Sequence, residues 1–170
     1  MKMRVMMLPV VLLLLAAGSV SAQSRDPYFT DFSANYDVAY HEPSVTSHAG
    51  AHFDVASTWK RDSPFIGPVG ELGFNHFFGA TVVSAMGALR VRANTDRSVL
   101  PFAQALLGVY HCGVCDTNDF AIQGGGGVDI RPSQNNFRVR VQLDLRRVVN
   151  DVYGFNAVRL SFGIVLPLNK

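Results

Sequence analysis

Lysine and glutamate are nearly absent from this chain of 170 residues. It has three lysines (Lys2, Lys60, Lys170) and two glutamates (Glu42, Glu71). A water-facing surface is normally dense in both, so little of this surface is built for water. Long apolar runs are scarce too. The one at the start, Val5 to Ala17, is thirteen residues, short of the roughly 18 that a spanning helix needs, and none follows it. It comes after Lys2 and Arg4 and is closed by Gly18-Ser19 and the small triplet Val20-Ser21-Ala22. That is the layout of a secretory signal peptide, residues 1–22. Its removal takes two of the 15 basic residues and none of the 13 acidic ones, leaving a neutral 148-residue chain. The missing basic excess argues against nucleic acid as a partner. Charged residues make up about 18% of the mature chain, against a usual value of about 25%.

What remains alternates. Phe137-Arg-Val-Arg-Val-Gln-Leu-Asp-Leu-Arg146 switches between apolar and polar for ten residues, the signature of a strand with two unlike faces. Phe32 to Tyr40, Ala51 to Trp59, Phe120 to Arg131 and Val158 to Ile164 repeat the pattern. Weaker, glycine- and alanine-rich segments run from Phe65 to Asn75, Val83 to Arg92 and Phe102 to Tyr110. Turn residues separate them, as at Glu42-Pro43-Ser44, Arg61-Asp62-Ser63-Pro64 and Pro132 to Asn136. The expectation is eight antiparallel strands of about nine to eleven residues, the length that crosses a bilayer at a tilt. An even number of strands can close on itself and remove the edges that lipid would not tolerate. The layout is then a signal peptide at 1–22, a short lead at 23–30 and an all-β barrel at 31–170.

Alternation alone fits either a soluble carrier with its apolar face inside, as in a lipocalin, or a membrane barrel with its polar face inside. The polar face decides. Its charges are Asp37, Asp54, Glu71, Asp129 and Asp144 against Arg90, Arg92, Arg131, Arg138, Arg140, Arg146 and Arg159. Arginine forks pair bidentately with carboxylates, which suits a closed, mutually paired interior; a solvated sheet face favours Lys and Glu. The other face, with Val139, Val141, Leu143, Leu145, Val158, Leu160, Phe162 and Ile164, suits lipid. Aromatics near strand ends (Tyr40, Trp59, Phe65, Phe77, Phe78, Tyr110, Phe120, Phe137, Tyr153, Phe155) read as two interface girdles. Val141→Arg is expected to block assembly, and Gln142→Arg to be much milder.

At these residues the chain resembles the small eight-stranded outer-membrane barrels, the OmpA/OmpX-like transmembrane domain. The likeness is most specific from Phe120 to Leu168. The C-terminal assembly signal of such barrels is matched by Ser161, Gly163, Leu166 and Leu168. Leucines replace the commoner aromatics, Pro167 stands between them, and Asn169-Lys170 trail. The resemblance implies residence in the cell outer membrane, with both termini periplasmic and extracellular loops near 42–48, 76–82, 111–119 and 148–155. It implies outer-membrane lipid and lipopolysaccharide as surroundings, and the barrel-assembly machinery and periplasmic chaperones as partners during biogenesis. No further domain is expected after the barrel. The residues name no surface ligand.

Chemistry-bearing motifs are few. Cys112-Gly-Val-Cys115 lies in an expected loop of an exported protein, where a structural disulfide is the default. The five histidines (His41, His48, His52, His76, His111) are all expected at or near the extracellular rim. They lack ligand spacing within one element, so no metal and no cofactor is expected. Gly124 to Gly127 is not a phosphate loop, because no Lys-Ser/Thr follows and the stretch continues as strand. Its role is expected to be space beside lumen arginines. Some outer-membrane barrels modify lipid A with a His/Ser/Glu or His/Asp constellation, but no strand here carries a His two residues before a Ser. The expectation is a non-enzymatic barrel with a structural or surface-interaction role through short loops; a lipid A-modifying enzyme and a lipocalin-like carrier are the alternatives.

Overall fold

The period-two segments fold as eight strands in the computed structural model, which describes residues 28–41, 46–59, 65–77, 80–93, 98–114, 116–132, 137–150 and 154–168. The strands are β1 (Tyr28–His41), β2 (Thr46–Trp59), β3 (Phe65–Phe77), β4 (Ala80–Arg92), β5 (Val99–Cys112), β6 (Thr117–Ile130), β7 (Arg138–Val149) and β8 (Phe155–Pro167). Each pairs antiparallel with the next, and β1 pairs with β8, so the sheet closes into a barrel. β1 begins three residues before the expected barrel boundary. The signal peptide lies outside the described residues.

The alternation resolves into the membrane arrangement. On β7, Leu143 and Leu145 are 53% and 63% exposed, while Arg140 and Asp144 between and beside them are fully buried. A carrier in water would have the opposite order, so the lipocalin-like alternative is excluded. Aliphatic and aromatic side chains outside, with paired backbone groups throughout, is the one arrangement in which a sheet tolerates hydrocarbon.

The register fixes the tilt. Stepping across the ladder from Asp31 leads through Ala56, Val69, Ala88, Leu106, Gln123 and Arg146 to Ala157. One position beyond the Tyr40–Val158 pair, Ala157 faces His41, so one circuit climbs ten residues on β1. With about 3.3 Å per residue and about 4.8 Å between strands, this stagger tilts the strands by about 40°. A strand of 13 residues then rises about 33 Å, more than the roughly 25 Å apolar band of such barrels. That explains the strands of 12 to 14 residues where about nine to eleven were expected. The alternation marks only the stretch inside lipid, and the ladder continues past it. It also shortens the connections at the end away from the termini to 42–45, 78–79, 113–116 and 150–154. Much of what reads as loop in the sequence, such as 46–48 and 117–119, is strand.

Candidate functional site

The chemistry-bearing side chains converge inside the barrel. In the tier nearer the termini, Arg140 of β7 spans the lumen. Its Nε and Nη2 donate to the two oxygens of Asp129 at 2.7 and 3.0 Å, and its Nη1 donates to Asp54 Oδ2 at 2.8 Å and Ser33 Oγ at 3.1 Å. Arg90 donates to the other oxygen of Asp54 at 3.2 Å and twice to Gln104 Oε1. Arg92 pairs with Asp31 at 2.7 Å and with Asp129 at 3.1 Å. Both the Arg90 and Arg140 guanidiniums lie over the Phe102 ring, 4.8 and 4.6 Å from its centre, adding a cation–π contact to the ion pairs. Gly127 makes this possible, since a Cβ there would press on the Phe102 ring and the β7 backbone.

The second tier is organised by Arg159 of β8. Its two terminal nitrogens hold the two oxygens of Glu71 at 2.8 and 2.9 Å, and Asp144 Oδ2 accepts from Nη2 at 2.7 Å and Nε at 3.0 Å. Arg146 reaches Glu71 at 3.3 Å and Gln123 at 2.7 Å. His52 joins the tiers. Its Nδ1 is 2.7 Å from Asp37 Oδ1, and its Nε2 is 4.0 Å from both Asp54 and Glu71.

Among the described residues, six buried carboxylates (Asp31, Asp37, Asp54, Glu71, Asp129, Asp144) meet six buried arginines (Arg90, Arg92, Arg138, Arg140, Arg146, Arg159). Isolated ions could not be buried so deeply; pairs with satisfied forks can. Of the twelve charged residues expected on the lumen face, eleven are buried inside the barrel and Arg131 is exposed. Arg131 has the inward parity of Asp129, but β6 stops at Ile130, and Arg131 is exposed beyond the rim. Asp31 is the member the sequence reading missed, because it stood at the edge of the supposed lead. His52 is a second correction, lying fully buried in mid-barrel rather than at the rim.

Part of the lumen is apolar. Val82, Met86, Leu106, Tyr110, Ala121 and Val148 form a buried cluster on the β4–β7 side. Tyr110 meets Phe155 edge-on at 5.6 Å. Tyr110 is therefore lumen packing rather than girdle, whereas Tyr40 and Phe120 do face outward, half-exposed. Within the expected assembly signal, Leu166 and Leu168 are exposed on the outer wall, and Ser161 is buried in the lumen. Gly163 lets Asn35 and the Ala34 carbonyl approach where a Cβ would collide with them.

Cys112 ends β5 and is disulfide-bonded. Cys115, the other cysteine of the chain, lies outside the described residues. Asp116 beside it takes the left-handed backbone conformation (φ 49°), which Asp tolerates in a tight turn. A ring between Cys112 and Cys115, as expected from the sequence, would be short and constrain few unfolded conformations. Reduction with dithiothreitol is therefore expected to leave the barrel folded, read as an unchanged difference in gel mobility between boiled and unboiled samples. Loss of that difference on reduction alone would show the ring to be essential to the barrel.

No family model and no curated protein matches this chain. Solved structures do. The Neisserial surface protein A is 14% identical, with a TM-score of 0.59 over 85% of this chain and 99% of that one. The outer membrane enzyme PagL is 14% identical, with a TM-score of 0.58 over 80% and 99%. At such identities the likeness is one of fold. This chain is a small eight-stranded barrel of the outer-membrane type, and its apolar outer wall and polar closed interior set it in that membrane. The same fold serves a surface protein and an enzyme, so fold alone does not choose between them.

Proposed function

We propose that this chain is a non-enzymatic outer-membrane barrel with a structural or surface-interaction role, its contacts made by the short loops and strand ends away from the termini. The observation that carries this reading is the interlocked interior. Arg140 and Arg159 each tie their own strand to three others through paired carboxylates or a serine hydroxyl. An eight-stranded barrel has room for side chains and little else, and here those side chains are tethered to one another. His52 and Asp37 have the pairing of a base and its orienting acid, but both are fully buried within this network.

Purified protein in planar bilayers is expected to give no steady conductance, and its overproduction to leave the lipid A mass spectrum unchanged. Steady channel currents would overturn the filled-lumen reading. The enzyme reading has one observation in its favour, the fold shared with an outer membrane enzyme. It would need reactive groups on the outer wall, where the described histidines are His76 and His111. A lipid A mass change that vanished in His76→Ala or His111→Ala would replace the present proposal with that one.

A further inference from the structure

We propose that the outer wall at the loop end of β7 and β8 docks the phosphate of a membrane lipid, with Arg147 as the cation that receives it. This rests on the outer-membrane reading above.

The outward positions of the eight strands carry aliphatic, aromatic, small and neutral polar residues. Among the described residues, Arg147 is the one exception with a formal charge. An arginine on the lipid-facing wall is costly at the midplane and nearly free at the interface, and Arg147 stands two residues from the end of β7. It is exposed, and its Nη1 donates to Asn156 Oδ1 at 3.1 Å across the ladder. That bond steers the guanidinium and uses one of its five donors, the one side-chain hydrogen bond Arg147 makes among the described residues. One strand further round, His111 Nδ1 lies 3.0 Å from Asn118 Oδ1 at the same end of β5 and β6. Val149 and Phe120, outward and half-exposed, separate these two polar pairs.

Below Arg147 the wall is apolar. Leu145 and Ile122, its neighbours along β7 and across to β6, are 63% and 51% exposed. Gly124, paired with Leu145, leaves open space on the surface. A cation above exposed aliphatic side chains is complementary to an amphiphile with an anionic head and acyl chains. A guanidinium fork suits phosphate in particular. At the terminus end, the outward polar pair is Thr30 and Ser57, neutral and 3.3 Å apart. Among the described outward strand positions, formal charge is therefore confined to the loop end, which assigns the docking surface to the leaflet there.

The test compares phosphatidic acid with diacylglycerol of the same acyl chains, each offered to the protein in dodecyl maltoside and read by native mass spectrometry. The wild type is expected to retain phosphatidic acid in preference to diacylglycerol. Arg147→Gln is expected to lower that retention about fivefold, the weight of one basic residue at an anionic lipid surface. Arg147→Lys is expected to fall between them, keeping the charge without the fork. Equal retention by wild type and Arg147→Gln would overturn the proposal, leaving Arg147 merely extended toward water. Displacement of the lipid by millimolar inorganic phosphate would also overturn it, since the site would then take a free anion. Should Arg147→Gln not fold, Asn156→Ala keeps the charge and releases its tether, and its retention must drop below wild type. The heat-dependent gel shift is recorded on every sample. Its absence from the wild type would strike the barrel reading, whereas loss of lipid preference with the shift intact strikes only the docking surface.

Discussion

Arg159→Met is expected to lower the stability of the folded barrel by about 3–5 kcal/mol, the cost of leaving buried charges without their partner. The guanidinium donates to both oxygens of Glu71 and to Asp144 Oδ2, and lies 3.6 Å from Asp37. Methionine fills similar volume but removes the arginine charge from all three carboxylates, leaving Glu71 with Arg146 at 3.3 Å, Asp144 with the neutral Gln142 amide at 2.8 Å and Asp37 with His52 at 2.7 Å. The measurement is urea unfolding in lipid vesicles, followed by the mobility of unboiled protein. Adding Glu71→Leu removes one carboxylate with the cation, restores the charge balance and is expected to recover part of the loss. Arg131→Met, beyond the rim and exposed, is expected to change stability by no more than about 0.5 kcal/mol. A loss from Arg131→Met as large as that from Arg159→Met would put Arg131 back in the network and contradict the observed end of β6.

The contrast between these two arginines shows what periodicity can and cannot reveal. Period two assigns a face, and Arg131 and Asp129 share one. It does not assign a height. Height depends on where the ladder stops and on the ten-residue stagger, which arises from pairing between strands distant in sequence. His52 was misplaced for the same reason: its parity is lumenal in the sequence, but only the register puts it between Asp37, Asp54 and Glu71. Asp31 was lost because β1 continues beyond its clearest alternation, held by pairing with Pro167 on β8. The apolar cluster was illegible for another reason. The stretches of β4 and β5 that carry them are apolar or small on both faces, so no alternation marks Val82, Met86, Leu106 and Tyr110 as interior. One signal was present and unread. The alternation of β7 breaks at Arg146-Arg147, the first facing inward and buried, the second outward and exposed. The break places a cation on the outer wall near the loop end of β7, with Val149 still apolar beyond it.

Val141→Arg is expected to prevent assembly in the membrane, at a cost of about 2–4 kcal/mol near the midplane. Val141 is on the outer wall of β7, paired with Val128 on β6 and Phe162 on β8. Phe162 is itself half-exposed. An arginine there would have to leave water for lipid without a carboxylate in reach. Its neighbour Gln142 reads from the sequence as the harmless control, but the interior forbids that use. Gln142 is 1% exposed, and its amide donates to Asp144 Oδ2 at 2.8 Å. Gln142→Arg would add a seventh arginine to a lumen where, among the described residues, six buried arginines already match six buried carboxylates, and more volume than a packed lumen holds. It is therefore expected to destabilise the folded barrel rather than to be mild. Gln142→Met is the better control, losing one hydrogen bond and about 1 kcal/mol. The readout is the fraction of each variant in the outer-membrane pellet that shows the heat-dependent shift. Val141→Arg should be nearly absent from that fraction and Gln142→Met close to wild type. Normal assembly of Val141→Arg would mean that this face of β7 does not meet lipid, and the inside-out reading of the whole barrel would fail with it.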